Sequence, residues 1–238
     1  MKSIAALVED LLADPRPVLC LDTCNFLDVI TTGNRGLTDL ITVNRKLAEI
    51  VVTAPERVQL VVTSLAIREW HQRRDGVREE ATKWLKTLDR QIVEVHKAWE
   101  RLGQPLPTAA RAYYDEALVN QLTTLAESLI RGSAVLMENT DCVMRAVHRV
   151  KLKKRPSHNK EIKDSIHLEH YLELSRQLHA GNLGRPVLFT STNSSDFWQD
   201  KNTPEHPHVE LADDFGAAHL HFFGRLPLAL SHLGLIAQ

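Results

Sequence analysis

Apolar residues at Ile4, Leu7, Val8, Leu11 and Leu12 recur at helical spacing, which predicts a short amphipathic helix over residues 3–13, ended by Asp14-Pro15-Arg16-Pro17. Val18 to Leu21 is instead a continuous apolar run between prolines and a polar cluster, the pattern of a parallel strand buried on both faces. A helix beginning at Asn25 and running to Ile30, a TTGNRG loop, and a helix capped by Asp39 and running to about Thr53 follow. VQLVVT, residues 58–63, is the second strand, and Ser64 is placed to cap the next helix. That helix sets Trp70, Val77, Ala81, Trp84, Leu85, Leu88, Ile92, Val95 and Trp99 on one stripe. Continuous from 64 to 99, it would extend on the order of 50 Å, so part of it should project beyond the sheet.

Pro107 and Thr108 open another helix, with Tyr114, Leu118, Leu122, Leu125 and Leu129 on one side, and Asp141 caps a third that reaches about Leu152. No strand pattern interrupts them, so residues 97–152 read as a helical insertion. A helix from Asp164 to His179 leads into PVLFT, residues 186–190, the third strand. Strand, helices, strand, helices, strand predicts an α/β fold with a central parallel sheet and right-handed crossovers. The remaining residues are polar and dotted with histidine, with a short strand expected near Val209 and a closing helix after Pro227.

At 238 residues, 43% hydrophobic and 25% charged, the chain fits one α/β domain spanning 1–238 with an elaboration. Apolar runs such as Ala134–Met137 and Leu226–Leu230 fall far short of the roughly 20 residues that span a bilayer. The opening MKSIAALVEDLLADPRP lacks the basic start and unbroken apolar core of a signal peptide, so a cytoplasmic protein with no membrane partner is expected. Cys20, Cys24 and Cys142 show no zinc-type spacing and read as reduced packing residues. A net charge of −1 excludes a global electrostatic case for nucleic acid. One local case exists: RAVHRVKLKKRPSHNK, residues 145–160, holds seven Lys or Arg and no acid.

The candidate chemistry is carboxylate chemistry. In open parallel sheets, ligands bind where the strands' carboxyl ends meet the following helices. Strand one ends on Asp22; Glu69 lies near the start of the helix after strand two; Asp164 opens the helix before strand three, on its apolar stripe; and strand three runs into Ser191-Thr192-Asn193-Ser194-Ser195-Asp196. Gathered without basic partners, such acids would raise one another's pKa values. Mg²⁺ or Mn²⁺ resolves that repulsion, and can activate water against a phosphodiester. The other readings are local: Asp22 or Asp164 as a helix N-cap, Glu69 as a solvated residue, Asp196 as a turn residue bonding its own backbone. The histidine pairs His167 and His170, His206 and His208, and His219 and His221 lack the fuller ligand set of a zinc site.

LDTCNFLDV, TSLAIREW, KDSIHLEHYLEL and FTSTNSSDF resemble, in order and character, the four motifs of PIN-domain nucleases, over residues 17–198. The resemblance implies a three-layer α/β/α sandwich and metal-dependent phosphodiester hydrolysis, most often of RNA. It assigns Asp22, Glu69, Asp164 and Asp196 as catalytic acids, the same four with Asn193 as ligands of Mg²⁺ or Mn²⁺, and RNA, or DNA, as partner. Lys153, Lys154, Arg155, Lys160 and Lys163 are the expected phosphate contacts, and a second copy or a protein inhibitor is a further expected partner. Two departures stand out: the span from Glu69 to Asp164 is far longer than in compact toxin-type members, and Asn193 lowers the acid count, so one ion or two are both compatible. Two other classes are open, a catalytically silent PIN-like binding module and a haloacid-dehalogenase-type phosphatase using Asp22. The latter usually carries a second Asp two residues on, where this chain has Cys24.

Overall fold

The computed structural model describes residues 1–31, 39–103, 116–157, 161–200, 202–204 and 206–236. The expected helix start at Pro107-Thr108 with Tyr114, the TTGNRG loop from Thr32 onward, and Lys160 lie outside these. The strands are β1 (Val18–Leu21), β2 (Gln59–Thr63), β3 (Ser133–Leu136), β4 (Val187–Thr190) and β5 (Leu220–Phe223). They form one sheet in the order β3-β2-β1-β4-β5, every pair parallel. The helices are α1 (Ile4–Ala13), α2 (Thr23–Thr31), α3 (Asp39–Thr53), α4 (Ser64–Arg101), α5 (Glu116–Arg131), α6 (Thr140–Lys151), α7 (Lys163–Ala180), α8 (Ser194–Phe197), α9 (Val209–Ala218) and α10 (Leu226–His232).

The side-chain alternation of the strands divides the interior in two. Leu19, Leu21, Leu60, Val62 and Leu188 point to one face, where α2, α3, α4, α5 and α10 bury Phe26, Leu47, Trp70, Leu129 and Leu230. Val18, Cys20, Val61, Val187, Phe189 and Phe222 point to the other, against Leu7 and Leu11 of α1, Leu168 and Tyr171 of α7, and Leu211 and Phe215 of α9. Helices thus cover both faces, giving three α/β/α layers.

Residues 97–152 are not purely helical: Ser133–Leu136 is an edge strand, paired in register with Leu60–Thr63. Its signal is faint because α5 passes into it with Gly132 as the only connector, and three of its four residues are only half-buried. A Cβ on Gly132 would stand 2.3 Å from the Val51 side chain, so the turn closes against α3 only with glycine there. Val209 starts a helix rather than a strand. The His208 ring accepts from the Glu210 amide at its start, and Leu211, Phe215 and Ala218 make its buried stripe. The last strand lies just beyond it, with Leu220 and Phe222 buried and His221 exposed. Two caps also shift: Thr63, not Ser64, caps α4, and Asn139, not Asp141, caps α6.

Helix α4 runs for 38 residues, about 57 Å at the standard rise. Its buried residues end at Leu85, while Val93, Val95 and Trp99 are exposed, so its distal turns project as the spacing predicts.

Tyr171 ties the layers together where the sheet opens. Its buried hydroxyl donates to the Leu21 carbonyl at 2.7 Å and accepts from the Thr63 amide at 3.2 Å, one step beyond the last β1–β2 backbone pair. Tyr171→Phe would leave both backbone groups buried and unpaired, at roughly 1–3 kcal/mol per group. Urea unfolding should show a loss in that range or above; an unchanged midpoint would mean that the hydroxyl does not hold the strands.

Candidate functional site

From β1 the chain passes to β2 on one side, and from β4 it passes to β5 on the other, so the crevice beyond β1 and β4 is the topological switch point of the sheet. A cleft of about 370 Å³ lies there, lined by Asp22, Asp28, Glu69 and Asp164 together with Thr23, Arg73, Glu80, Lys163 and Asn193. Asp22 follows β1 directly and is 4% exposed. One of its oxygens accepts the Thr23 amide at 2.6 Å, and the other accepts the Ser191 hydroxyl at 2.6 Å and the Cys24 thiol at 3.2 Å. Asn25 holds the two strand ends together by donating to the Thr190 carbonyl at 2.7 Å.

Glu69 sits on the second turn of α4, buried, and not in solvent. Its Oε2 accepts the Thr23 hydroxyl at 2.6 Å and His167 Nε2 at 3.0 Å, and Lys163 Nζ stands 3.4 Å from Oε1. His167 Nδ1 lies 2.7 Å from the Thr63 hydroxyl, so the ring is fixed at both nitrogens. Burial opposes a charge on Glu69, but the hydrogen bond and charge of His167, the Thr23 hydroxyl and the Lys163 charge outweigh it and bring the carboxyl down to about 2. Burial likewise opposes the imidazolium, yet Glu69, Asp22 and Asp164 pull the His167 pKa upward.

Asp164 lies in the first turn of α7 without capping it. It accepts from Asn193 Nδ2 at 2.9 Å, and the same amide group reaches Asp196 at 2.8 Å. Burial first, then the charge of Asp22, pushes the Asp164 carboxyl up to about 7; Asp196 and Glu69 add to this and His167 opposes it. Asn193 therefore turns its nitrogen, not its oxygen, toward the acids, and its oxygen accepts the Ser195 hydroxyl at 2.7 Å. Asp196 also accepts from Ser195 and lies behind Asn193, which is the residue that lines the cleft.

The basic run divides by role. Arg149 is buried in ion pairs with Glu169 and Asp214, at 2.5 and 2.8 Å, and Arg145 pairs with Glu169 and Glu173. Lys153 and Lys154 are exposed at the end of α6, Arg155 donates to the Ser195 carbonyl, and Lys163 enters the cleft. His167 and His170 form no pair: His170 bonds the Ile166 carbonyl through Nδ1 and takes the Asn139 amide on Nε2, at 2.7 and 2.8 Å. His219 stacks on His179, at 3.5 Å between ring centres.

Asp28, Thr23 and His167 belong to the site without standing among the acids at strand and helix ends that point to it in the sequence. Asp28 is 4% exposed, lines the cleft and accepts the Thr192 hydroxyl at 2.6 Å. Its burial within α2, which is enclosed on nearly all sides, is set by the fold, and an acid there requires a partner.

A divalent cation fits these residues by donor type. Among the described residues, one group of three ligand-type side chains has donor atoms within 4.8 Å of one another: Asp22, Glu69 and His167. With Asp164 beside them, the set is rich in carboxylate oxygen, the ligand of Mg²⁺ and Mn²⁺, while His167 is engaged by Glu69 at Nε2 and by the Thr63 hydroxyl at Nδ1. No protein-family model, curated protein or solved structure matches the chain.

Asp164 ionises near pH 7 in the fold and near pH 4 when unfolded, so the native state holds the extra proton between those values. Its contribution to stability therefore falls as pH rises from about 4 to about 7. Asp164→Asn keeps an acceptor for Asn193 and removes this slope. In EDTA, the variant should be more stable than wild type at pH 8, by a few kcal/mol at most, with the gap closing toward pH 4. A variant less stable than wild type at pH 8 would contradict the assignment.

Proposed function

We propose that the chain is a PIN-like nuclease that hydrolyses phosphodiester bonds of RNA with Mg²⁺ or Mn²⁺ held at the carboxyl edge of the sheet. The observation that supports this most is the meeting of Asp22, Glu69 and Asp164 in one cleft, where Asp164 is driven up to about 7 by burial and by Asp22. Acids crowded without enough fixed positive charge leave a cation to be supplied from outside. Asp22, Glu69 and Asp164 would hold it, with Asp28 in the same cleft. When bound, such an ion polarises a phosphoryl oxygen and lowers the pKa of water to the range useful near neutrality.

The chain's own residues account for the rest of the arrangement. His167 and Thr23 fix the Glu69 carboxylate from two sides, so it remains ionised and aimed whatever enters the cleft. Ser191 and the Thr23 amide do the same for Asp22. Asn193 spans Asp164 and Asp196, donating to both carboxyls through one amide. Among the described residues, Lys163 and Arg73 are the lysine and arginine side chains that line the cleft and offer attraction to a substrate phosphate. A phosphatase that forms an aspartyl-phosphate gains no support, because Cys24 stands where its second acid would be and donates to Asp22 itself.

Changing a residue that only orients a metal ligand costs roughly 10–100-fold in affinity or activity, so removing a ligating carboxylate should cost about a hundredfold or more. Single-turnover cleavage of end-labelled RNA in Mn²⁺ should therefore fall at least that far in Asp22→Asn, and by roughly 10–100-fold in His167→Gln. Cleavage by Asp22→Asn at the wild-type rate would sink the proposal. Retained Mn²⁺ binding with no cleavage of any RNA or DNA would instead indicate a silent binding module.

A further inference from the structure

A second cavity, of about 220 Å³, adjoins the carboxylate cleft and shares two residues with it, Asp28 and Thr192. The Thr192 hydroxyl donates to Asp28 at 2.6 Å, so one hydrogen-bonded pair forms the wall between the two spaces. The chemistry changes across that wall. The cleft is lined by acids, whereas the second cavity is walled by Leu40, Leu226 and the Trp198 ring.

Trp198 is fixed rather than loosely placed. Its indole N–H donates to the Ser191 carbonyl at 2.9 Å, and its ring closes on Gly224, where any Cβ would stand 2.3 Å from it. The Arg225 guanidinium lies 5.8 Å from the ring centre, a cation over an aromatic face at the exposed rim. Asn44 also lines the cavity and is 2% exposed. Its amide nitrogen donates to the Leu40 carbonyl at 2.8 Å, while its carbonyl oxygen has no hydrogen-bond partner among the described residues. Buried acceptors without partners are rare in folded proteins, and this one belongs to a residue that lines an apolar space.

We propose that this cavity receives one unstacked nucleobase of a single-stranded nucleic acid whose phosphodiester lies in the adjoining cleft. The inference deepens the nuclease reading and rests on it for the placement of the phosphate. A nucleotide has the same two-part chemistry as the paired cavities: an anionic phosphate, and a flat ring with apolar faces and a polar edge. Trp198, Leu40 and Leu226 suit the faces, and Asn44 offers an acceptor to an N–H on the edge. Arg225 at the rim offers a plane for stacking and a charge for the next phosphate. The volume admits one ring system and no base pair, and a base stacked in a duplex cannot enter without leaving its helix, so the substrate class is single-stranded.

The test is equilibrium binding in Ca²⁺, a hard cation that fills carboxylate sites without the octahedral geometry of Mg²⁺, of fluorescein-labelled single-stranded RNAs that each lack one base at a different position. Loss of the seated base should weaken wild-type binding about tenfold or more at one position only. Leu40→Trp, which fills the cavity, should bind intact RNA as weakly as wild type binds that abasic strand, and should no longer respond to the abasic site. Asn44→Leu, close in size, should weaken intact RNA and leave the abasic strand unaffected. DNA of the same sequence should show the same pattern, because no part of the cavity requires a 2′-hydroxyl. The absence of any position-specific penalty in wild type, or a penalty that persists in Leu40→Trp, would overturn the proposal. If the penalty and its loss in Leu40→Trp both hold while Asp22→Asn still cleaves RNA at the wild-type rate, the base pocket stands and the nuclease assignment fails.

Discussion

Mutual repulsion among carboxylates buried in one crevice is the constraint on which the polar architecture of this protein depends. Asp22, Asp28, Glu69 and Asp164 meet beyond the ends of β1 and β4, and each is held by a donor from outside its own element. Ser191 and Thr23 hold Asp22, Thr192 holds Asp28, His167 and Thr23 hold Glu69, and Asn193 holds Asp164. The donors do not share the load evenly. Glu69 is stabilised as an anion to about 2, whereas Asp164, with Asp22 beside it, is raised to about 7. One acid is thus permanently charged, and another responds to whatever cation arrives.

The sheet topology sets where this repulsion is collected. Strand β1 is central, its outgoing chain crosses toward β2, and β4 sends its own chain the opposite way, so helices part above the β1–β4 seam. Tyr171 keeps the β1 and β2 ends in register by carrying Leu21 and Thr63 on one hydroxyl. That places Asp22 and the base of α4 close enough for Thr23 to reach Glu69, 46 residues away in sequence. Thr63 serves twice, capping α4 and contacting the ring that orients Glu69. Fold and site are therefore coupled through a few side chains at the strand ends.

What could be read from the chain follows from how local each signal is. Strands β1, β2 and β4 are nearly fully buried, and so appear as continuous apolar runs that need no partner to be recognised. Strands β3 and β5 lie at the sheet edges, where Ser133 and His221 dilute the pattern, and β3 merged into its helical neighbours for that reason. Asp22, Glu69 and Asp164 were legible from their positions beside strand and helix ends. Asp28, His167 and Thr23 were not, because their importance comes from partners between 46 and 164 residues away. Asp196 was legible as an acid, but its place behind Asn193 is a matter of tertiary geometry. The basic run was legible as charge; that Arg149 spends its charge on Glu169 and Asp214 was not.

The most direct test of a cation held by these acids is a crystal structure of the protein soaked in Mn²⁺, with the ion located by its anomalous scattering. A peak within Mn–O bonding distance, about 2.2 Å, of both Asp22 and Asp164 is the expected result, with the His167–Glu69 hydrogen bond retained. A cleft without a peak at a Mn²⁺ concentration that fills ordinary carboxylate sites, or a peak found only elsewhere on the surface, would contradict it.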